Sequence, residues 1–164
     1  KFSRKEKKTA VNFLVAVAVC FFVLYAYRCV YTKVCTPNFL ETIIRPSVQV
    51  ALPHGIINAE IADTVYAREE GLSGRSGLKK DSGMLFAFEI SGRYGFWMKD
   101  MTFPIDILWI NKNGIVVHII ENAKPEDYPT TYINQAPADY VLELEANKAR
   151  ELGVYLGAKV TIAE

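Results

Sequence analysis

The sequence predicts a small, mostly β (α+β) domain, an antiparallel and partly closed barrel with two short helices, preceded by one N-terminal transmembrane helix. The β class is indicated by short apolar segments between Gly, Pro and Asn turn signals, without long helices alternating with the strands. The membrane helix is indicated by one long uncharged segment near the N-terminus. We therefore divide the 164 residues into a cytoplasmic stub (1–9), a transmembrane helix (10–31), a stalk (32–47) and an extracytoplasmic domain (48–164).

The predicted membrane helix begins with Ala10–Tyr27, which carries no charge and reaches roughly 27 Å at about 1.5 Å per residue. Continuing to Tyr31 completes a hydrocarbon core of about 30 Å, because Arg28 can extend to the far interface. Five basic residues against one acidic residue precede the run, so the positive-inside rule places the later residues outside the cytoplasm. A cleaved signal peptide is the alternative, but its apolar region spans only about 7 to 15 residues and needs a clear cleavage site.

The three cysteines, Cys20, Cys29 and Cys35, lie in this helix or at its outer edge. The domain is therefore expected to fold without disulfides. Cys29 and Cys35 could pair with each other, pair between chains, or remain free thiols. Their spacing does not match a zinc site, and we predict neither a metal nor a cofactor.

Period-two alternation of apolar residues between turn signals predicts seven short strands. In chain order they are Gln49–Leu52, Ile57–Asp63, Met84–Phe88, Ile105–Ile110, Ile115–Asn122, Tyr140–Leu144 and Lys159–Ala163. The Asn111–Gly114 turn is a strong hairpin signal between the fourth and fifth strands.

Two short helices complete the predicted elements. Asp63 or Thr64 can cap Val65–Glu70, which Gly71 ends, and Ala146–Leu152 ends at Gly153. The glycine-rich loop that follows the first helix lacks the strand–loop–helix order of a phosphate loop, so we interpret it as a surface loop. The segment between Ala123 and Ala138 shows no clear periodicity and is expected to be a long loop, a feature that is often functional.

Six sequence blocks carry a resemblance to a known family. They are Arg68–Leu72, Gly83–Phe86, Phe96–Lys99, Pro104–Ile107, Asn122–Pro125 and Tyr140–Leu144. In this order they closely resemble domain of unknown function 192, an uncharacterised conserved family also called ACR, over about residues 48 to 160. The resemblance implies a compact, mostly β fold often found behind a signal sequence or anchor, and it brings no established activity.

Two positions depart from the family pattern. Ser73-Gly74 stands where many members have a methionine and another bulky residue, and Asn147 replaces a frequent glycine. The second change is expected to cost little free energy, because asparagine tolerates the left-handed backbone conformation.

A catalytic set is not visible in the sequence of the domain, so no catalytic residue is assigned and a non-enzymatic function is favoured. The domain has no cysteine, no Gly-x-Ser-x-Gly motif and only His54 and His118, which are more simply explained as packed or exposed histidines. Two carboxylates about 5 to 10 Å apart could support hydrolysis of a glycan, although ion pairs and turn caps also explain such residues. The carboxylates near strand ends are Asp81, Asp100, Asp106, Glu121 and Glu143.

A ligand-binding surface is the sharper prediction. Its candidate residues are Arg75, Met84, Trp97, Lys99, Asp106, Tyr128 and Tyr132. An aromatic platform beside a fixed cation and a carboxylate suits a glycan or an acidic peptide. The alternative is that Trp97 and Met84 are core residues and that Lys99 and Asp106 form a structural ion pair.

The charge pattern bears on the partners. A net charge of +1 does not favour nucleic acid, and the basic residues before the anchor suit anionic lipid. We therefore predict a single-pass membrane protein whose outer domain binds an envelope ligand, either a glycan or a peptide, or a partner protein. An envelope hydrolase is the alternative.

Overall fold

A computed structural model describes residues 45–163 of the chain. The predicted stub and membrane helix, the three cysteines and most of the predicted stalk lie outside the described residues. Between residues 45 and 163, we find no helix with the length and apolar character that crossing a bilayer requires.

Nine strands and two short α-helices make up the described part of the chain. The strands are β1 (Ser47–Leu52), β2 (Gly55–Ala62), β3 (Ser82–Gly92), β4 (Gly95–Trp97), β5 (Ile105–Ile110), β6 (Val116–Ala123), β7 (Thr131–Ile133), β8 (Ala138–Glu145) and β9 (Thr161–Ile162). The helices are α1 (Val65–Glu70) and α2 (Lys148–Glu151), and a 3-10 helix spans Pro125–Asp127.

Seven of the strands form one curled sheet in the order β6-β5-β8-β3-β2-β1-β9, and β4 pairs with β7 in a small second sheet. These seven strands correspond to the seven predicted ones, so the mostly β fold with two short helices is confirmed. The pairs are antiparallel except for β2 and β3, which run parallel. Parallel pairing requires a long crossover, and α1 with the glycine-rich loop supplies it.

The two edges of the large sheet meet at one end, so the barrel is partly closed as predicted. Ile115 and Lys159 form an antiparallel bridge, and the amide of Val160 donates to the carbonyl of Gly114 at 2.7 Å. Gly114 has φ +71°, and a Cβ at this position would overlap the Val160 carbonyl oxygen. The hairpin turn therefore needs glycine both for its backbone conformation and for closure of the barrel.

Both faces of strand β5, which lies next to the edge strand β6, are buried. Leu108 and Ile110 join an inner core within the curled sheet, while Ile107 and Trp109 join an outer core on the opposite face. The β4–β7 sheet packs on the outer core, which explains a difference from the sequence interpretation. The segment between Ala123 and Ala138, expected to be a loop without regular structure, contains the 3-10 helix and β7.

Local hydrogen bonds and residues with positive φ set the ends of the two helices. The hydroxyl of Thr64 accepts a hydrogen bond from the amide of Ala67 at 3.1 Å, and α1 ends at Gly71 with φ +52°. Helix α2 is shorter than predicted and follows Asn147, whose φ of +70° is the left-handed conformation that asparagine was expected to tolerate.

Candidate functional site

A pocket of about 270 Å³ opens on the outer face of the domain, between the α1 region and β4. Its apolar lining includes Val65, Leu72, Phe86, Phe96, Trp97 and Met101. The volume lies just below the range of roughly 300–1,000 Å³ that is typical of small-molecule sites. The pocket is therefore suited to a single side chain or ring rather than to a large ligand.

The aromatic floor of this pocket is fixed by its packing. The rings of Phe86 and Phe96 meet edge to face with centroids 4.8 Å apart, and Phe96 makes a second edge-to-face contact with Trp109 at 5.8 Å. The indole N–H of Trp109 donates to the carbonyl of Tyr94 at 2.9 Å, which anchors the start of β4. Trp97, on the same strand, lines the pocket and is 55% exposed. The pocket thus combines a rigid floor with an accessible indole.

Glu143 is the unusual polar residue of the pocket lining. Its side chain is almost fully buried, and its Oε2 atom accepts no hydrogen bond from the described residues. Burial raises the pKa of Glu143 to about 8, although the nearby Arg75 guanidinium acts in the opposite direction. A buried polar atom without a partner carries a desolvation cost, and such atoms together with raised pKa values are frequent at functional sites.

The position of Glu143 follows from the alternation of β8. Leu142 and Leu144 point into the inner core, so Glu143 between them points to the outer face. It lies opposite Met84 of β3 and Ile107 of β5 in the strand registers, and both neighbours are fully buried. The carboxyl group therefore projects from an apolar row of the sheet.

Two ion pairs lie near this row. Both terminal guanidinium nitrogens of Arg75 donate to the carboxylate of Glu60, at 2.8 and 2.7 Å. The hydrogen bond lowers the pKa of Glu60 and raises that of Arg75, and burial opposes both shifts. Arg45 pairs with Glu70 at the pocket wall. Each of these arginines is thus matched by a glutamate other than Glu143.

Of the seven ligand-binding candidates predicted from the sequence, Trp97 alone lines the pocket. Met84 is fully buried directly opposite Glu143, and its sulfur lies 3.8 Å from a guanidinium nitrogen of Arg45. Arg75 is near enough to Glu143 for its positive charge to act against the rise in the Glu143 pKa. The structure therefore brings Trp97, Met84 and Arg75 to one region.

Lys99 and Asp106 are placed elsewhere. Lys99 is exposed in the turn after β4, and no ion pair joins it to Asp106 among residues 45–163. Asp106 is fully buried, and its two carboxylate oxygens accept hydrogen bonds from the amides of Asn122 (2.8 Å) and Ala149 (2.9 Å). In the structure its carboxylate joins β5 to β6 and α2.

The two predicted tyrosines lie in or beside β7, outside the pocket lining. Tyr128 is half exposed, whereas the hydroxyl of Tyr132 donates to Asp127 at 2.7 Å. Burial, followed by this hydrogen bond, raises the pKa of Tyr132 to about 12, and the same bond lowers the pKa of Asp127. Tyr132 also packs on the outer core.

The carboxylates considered for hydrolysis have separate surroundings. Asp81 pairs with Lys148 at 3.1 Å and Glu121 pairs with Arg150 at 2.5 Å, while Asp100 occupies a turn with φ +57°. Glu143 is the one of the five that lines the pocket. In the part of the chain that the structure describes, no cluster of His, Cys, Asp and Glu is suited to a metal ion.

The sequence interpretation placed Glu143 among possible catalytic carboxylates but not in the binding surface. The available signal was a lone glutamate at an outward position of the apolar strand Tyr140–Leu144. Phe86 and Phe96 were also missed as pocket residues, because their role depends on β4 folding over β3, which no local pattern encodes.

Comparison with known proteins identifies a matching family and similar crystal structures. The family model of domain of unknown function 192, described as Uncharacterized ACR, matches residues 48–162. A protein from Sinorhizobium meliloti 1021, named as a candidate transcription regulator, has a crystal structure with 32% identity and a TM-score of 0.68, covering 72% of this chain and 95% of that chain. A protein of unknown function from Novosphingobium aromaticivorans DSM 12444 has 30% identity and a TM-score of 0.64, covering 71% of this chain and 84% of that one. No curated protein matches the sequence.

Proposed function

Because the chain belongs to the uncharacterised family of domain of unknown function 192, we propose a function from its pocket: the domain is a ligand-binding or accessory module, and the pocket beside Trp97 is its binding site. The observation that carries the proposal is the Glu143 carboxyl, buried and unpartnered at Oε2 among the described residues, in an apolar pocket. A specific polar group within an apolar concavity is the usual composition of a ligand site.

The exposed indole of Trp97 supports the same function. A large aromatic side chain that is 55% exposed gains contact area when a ligand covers it. Trp97 and Thr131 are cross-strand partners in the β4–β7 sheet, so the backbone that carries the indole is held in place. Such a preorganised aromatic surface lowers the entropy cost of binding.

The name of the Sinorhizobium protein raises nucleic-acid binding as another function. Residues 45–163 of the present chain contain twelve Lys and Arg against fifteen Asp and Glu. Binding to DNA depends largely on neutralising phosphates with basic side chains. The acidic balance of the domain therefore favours a different ligand.

The proposed location is the outer side of a membrane, with residues 10–31 as the anchor. The support is the uncharged run followed by few basic residues, as argued from the sequence. An enzymatic reporter that is active only outside the cytoplasm, fused after Glu164, is expected to be active. The same fusion lacking residues 1–31 is the control and should be inactive. The proposed location would be contradicted if the full-length fusion were inactive and were recovered in the soluble fraction.

The binding proposal is tested by NMR with a panel of glycans and peptides, using the two indole N–H signals. The Trp97 indole should shift saturably with its ligand, whereas the hydrogen-bonded Trp109 indole should change little. Trp97→Ala, which removes the reporter indole and is therefore measured by calorimetry, should weaken binding at least about tenfold, or about 1.4 kcal/mol. Tyr155→Ala removes an aromatic side chain of similar exposure outside the pocket and is the matched control. A panel without any Trp97 shift, or equal weakening by both variants, would contradict the proposal.

A further inference from the structure

We propose that the pocket selects a primary amine in its ammonium form, carried on an apolar stem, and that Glu143 is the carboxylate that pairs with it. The inference rests on the proposed function of the pocket as a binding site. It concerns the chemical class of the ligand, which the family membership does not specify.

The pocket holds an unused acceptor. Glu143 lines the concave pocket, and its buried Oε2 atom accepts no hydrogen bond from residues 45–163. A ligand that donates a hydrogen bond to this atom would remove the cost of leaving it unpaired. An ammonium group supplies both the donor and a compensating charge, and it needs only one oxygen, whereas a guanidinium favours two in a planar, bidentate arrangement.

The neighbouring cations have other partners. Arg75 is held by Glu60 and Arg45 by Glu70. Arg68, which lines the pocket, donates to the carbonyls of Asp63 and Ala87. An anionic ligand would have to displace one of these interactions. A cationic ligand meets a carboxyl group that pairs with none of these arginines.

The composition of the pocket wall also suits a cation. The rings of Phe86, Phe96 and Trp97 line the pocket, and aromatic rings attract cations electrostatically while also packing against an apolar stem. Exposed Glu69 lies in the same lining and adds negative potential for an approaching cation. The aromatic and acidic groups therefore favour the same class of ligand.

Binding of an ammonium group is coupled to loss of a proton. The pKa of Glu143 is about 8, so the carboxyl is mostly protonated at pH 7 before binding. Formation of the ion pair requires the carboxylate, and the proton passes to the buffer. The affinity should therefore rise with pH from about 6 to about 8 and level off above that value.

The experiment compares benzylammonium with benzyl alcohol, which shares its ring and stem but carries no charge. Both are titrated into the domain at pH 6, 7 and 8, with the Trp97 indole signal as the readout. Benzylammonium should bind at least about tenfold more tightly at pH 8, and its affinity should increase at least about tenfold from pH 6 to pH 8. Calorimetry in buffers with different ionisation enthalpies should show release of close to one proton at pH 7, a readout that needs no variant.

Glu143→Gln keeps the side-chain shape and removes the charge. It should abolish the preference for benzylammonium and its pH dependence while retaining the binding of benzyl alcohol. Glu69→Gln removes a charge at an exposed position of the same lining and is the matched control, with at most a small effect. Loss of the benzylammonium preference in Glu143→Gln but not in Glu69→Gln supports the inference. Equal loss of this preference in both variants overturns it.

The two proposals can fail separately. If both probes shift the Trp97 indole with equal affinity and no proton is released, the ammonium inference is overturned while the binding site stands. If neither probe binds but a member of the glycan and peptide panel does, the inference is again overturned alone. If no compound of either set perturbs Trp97, the proposed function is overturned together with the inference.

Discussion

Glu143 and Met84 lie directly opposite each other in the antiparallel β8–β3 register, so a carboxyl group and a thioether share one buried face of the sheet. A thioether donates no hydrogen bond and is only a weak acceptor. The ionised form of Glu143 is therefore poorly stabilised on this side. This arrangement links the pH dependence of stability to the same residue that we propose for binding.

We predict that the domain loses stability as the pH rises from about 5 to about 8. The pKa of Glu143 is raised from an ordinary value of 4.5 to about 8 in the fold. Below pH 4.5 both the folded and the unfolded states hold the Glu143 proton, so the full contribution of this residue to stability is present. Between the two values the unfolded state ionises while the folded state does not, so stability is progressively lost. Urea denaturation at several pH values should detect a decrease on the order of a few kcal/mol, since one pKa unit corresponds to about 1.4 kcal/mol.

Glu143→Gln tests the origin of this pH dependence. The variant should be more stable than the parent at pH 8 and should lose most of the slope between pH 5 and pH 8. Glu145→Gln, on the exposed end of the same strand, is the matched control and should keep the parental slope. An unchanged slope in Glu143→Gln would show that other groups cause the dependence.

A second prediction concerns Arg75, whose charge favours ionisation of Glu143. Arg75→Gln should raise the pKa of Glu143 further and should also raise the pKa of Glu60, which loses its bidentate partner. The loss of stability should stay below about 1 kcal/mol, because the ion pair is partly exposed. Carboxyl carbon chemical shifts followed by NMR would give both pKa values.

Lys79→Gln is the control for the Arg75 variant. The charge of Lys79 lowers the pKa of Glu60 but is not among the charges that shift the pKa of Glu143. A Glu143 pKa that stays constant in Arg75→Gln would contradict the prediction.

The fold could be predicted further than the site because its signals are local. Alternation within β5 and β8, the Asn-Gly hairpin turn and the Thr64 cap each depend on neighbouring residues, and they led to the correct strands and to α1. The pocket depends on pairings across the chain. Trp97 meets Thr131 across the β4–β7 sheet, and Asp106 accepts a hydrogen bond from Ala149, 43 residues away. Nothing in either segment alone indicates these partners.

A third prediction concerns Asp106, whose two oxygens each accept a buried or partly buried backbone amide hydrogen bond. Asp106→Asn replaces one acceptor with an NH₂ donor that would face an amide N–H. The expected loss of stability is about 2–4 kcal/mol, because one backbone donor remains unsatisfied and a charge-assisted hydrogen bond is lost. Denaturant unfolding measures the change, and Asp63→Asn at an exposed position should alter stability by less than about 0.5 kcal/mol. A similarly small effect of Asp106→Asn would show that its hydrogen bonds are dispensable for the fold.

A fourth prediction separates backbone strain from side-chain contacts at Asn147. This residue has φ +70°, its side chain makes no capping hydrogen bond to α2, and it is exposed. Its identity should therefore matter through the left-handed backbone alone. Asn147→Gly should leave the free energy of unfolding within about 0.5 kcal/mol of the parent, whereas Asn147→Ala should lose about 1 kcal/mol, because a Cβ without a compensating polar group disfavours this conformation. Thermal and urea unfolding of the two variants measure the difference. If alanine and glycine were equally tolerated, the conformation at position 147 would impose no strain, which would contradict the prediction.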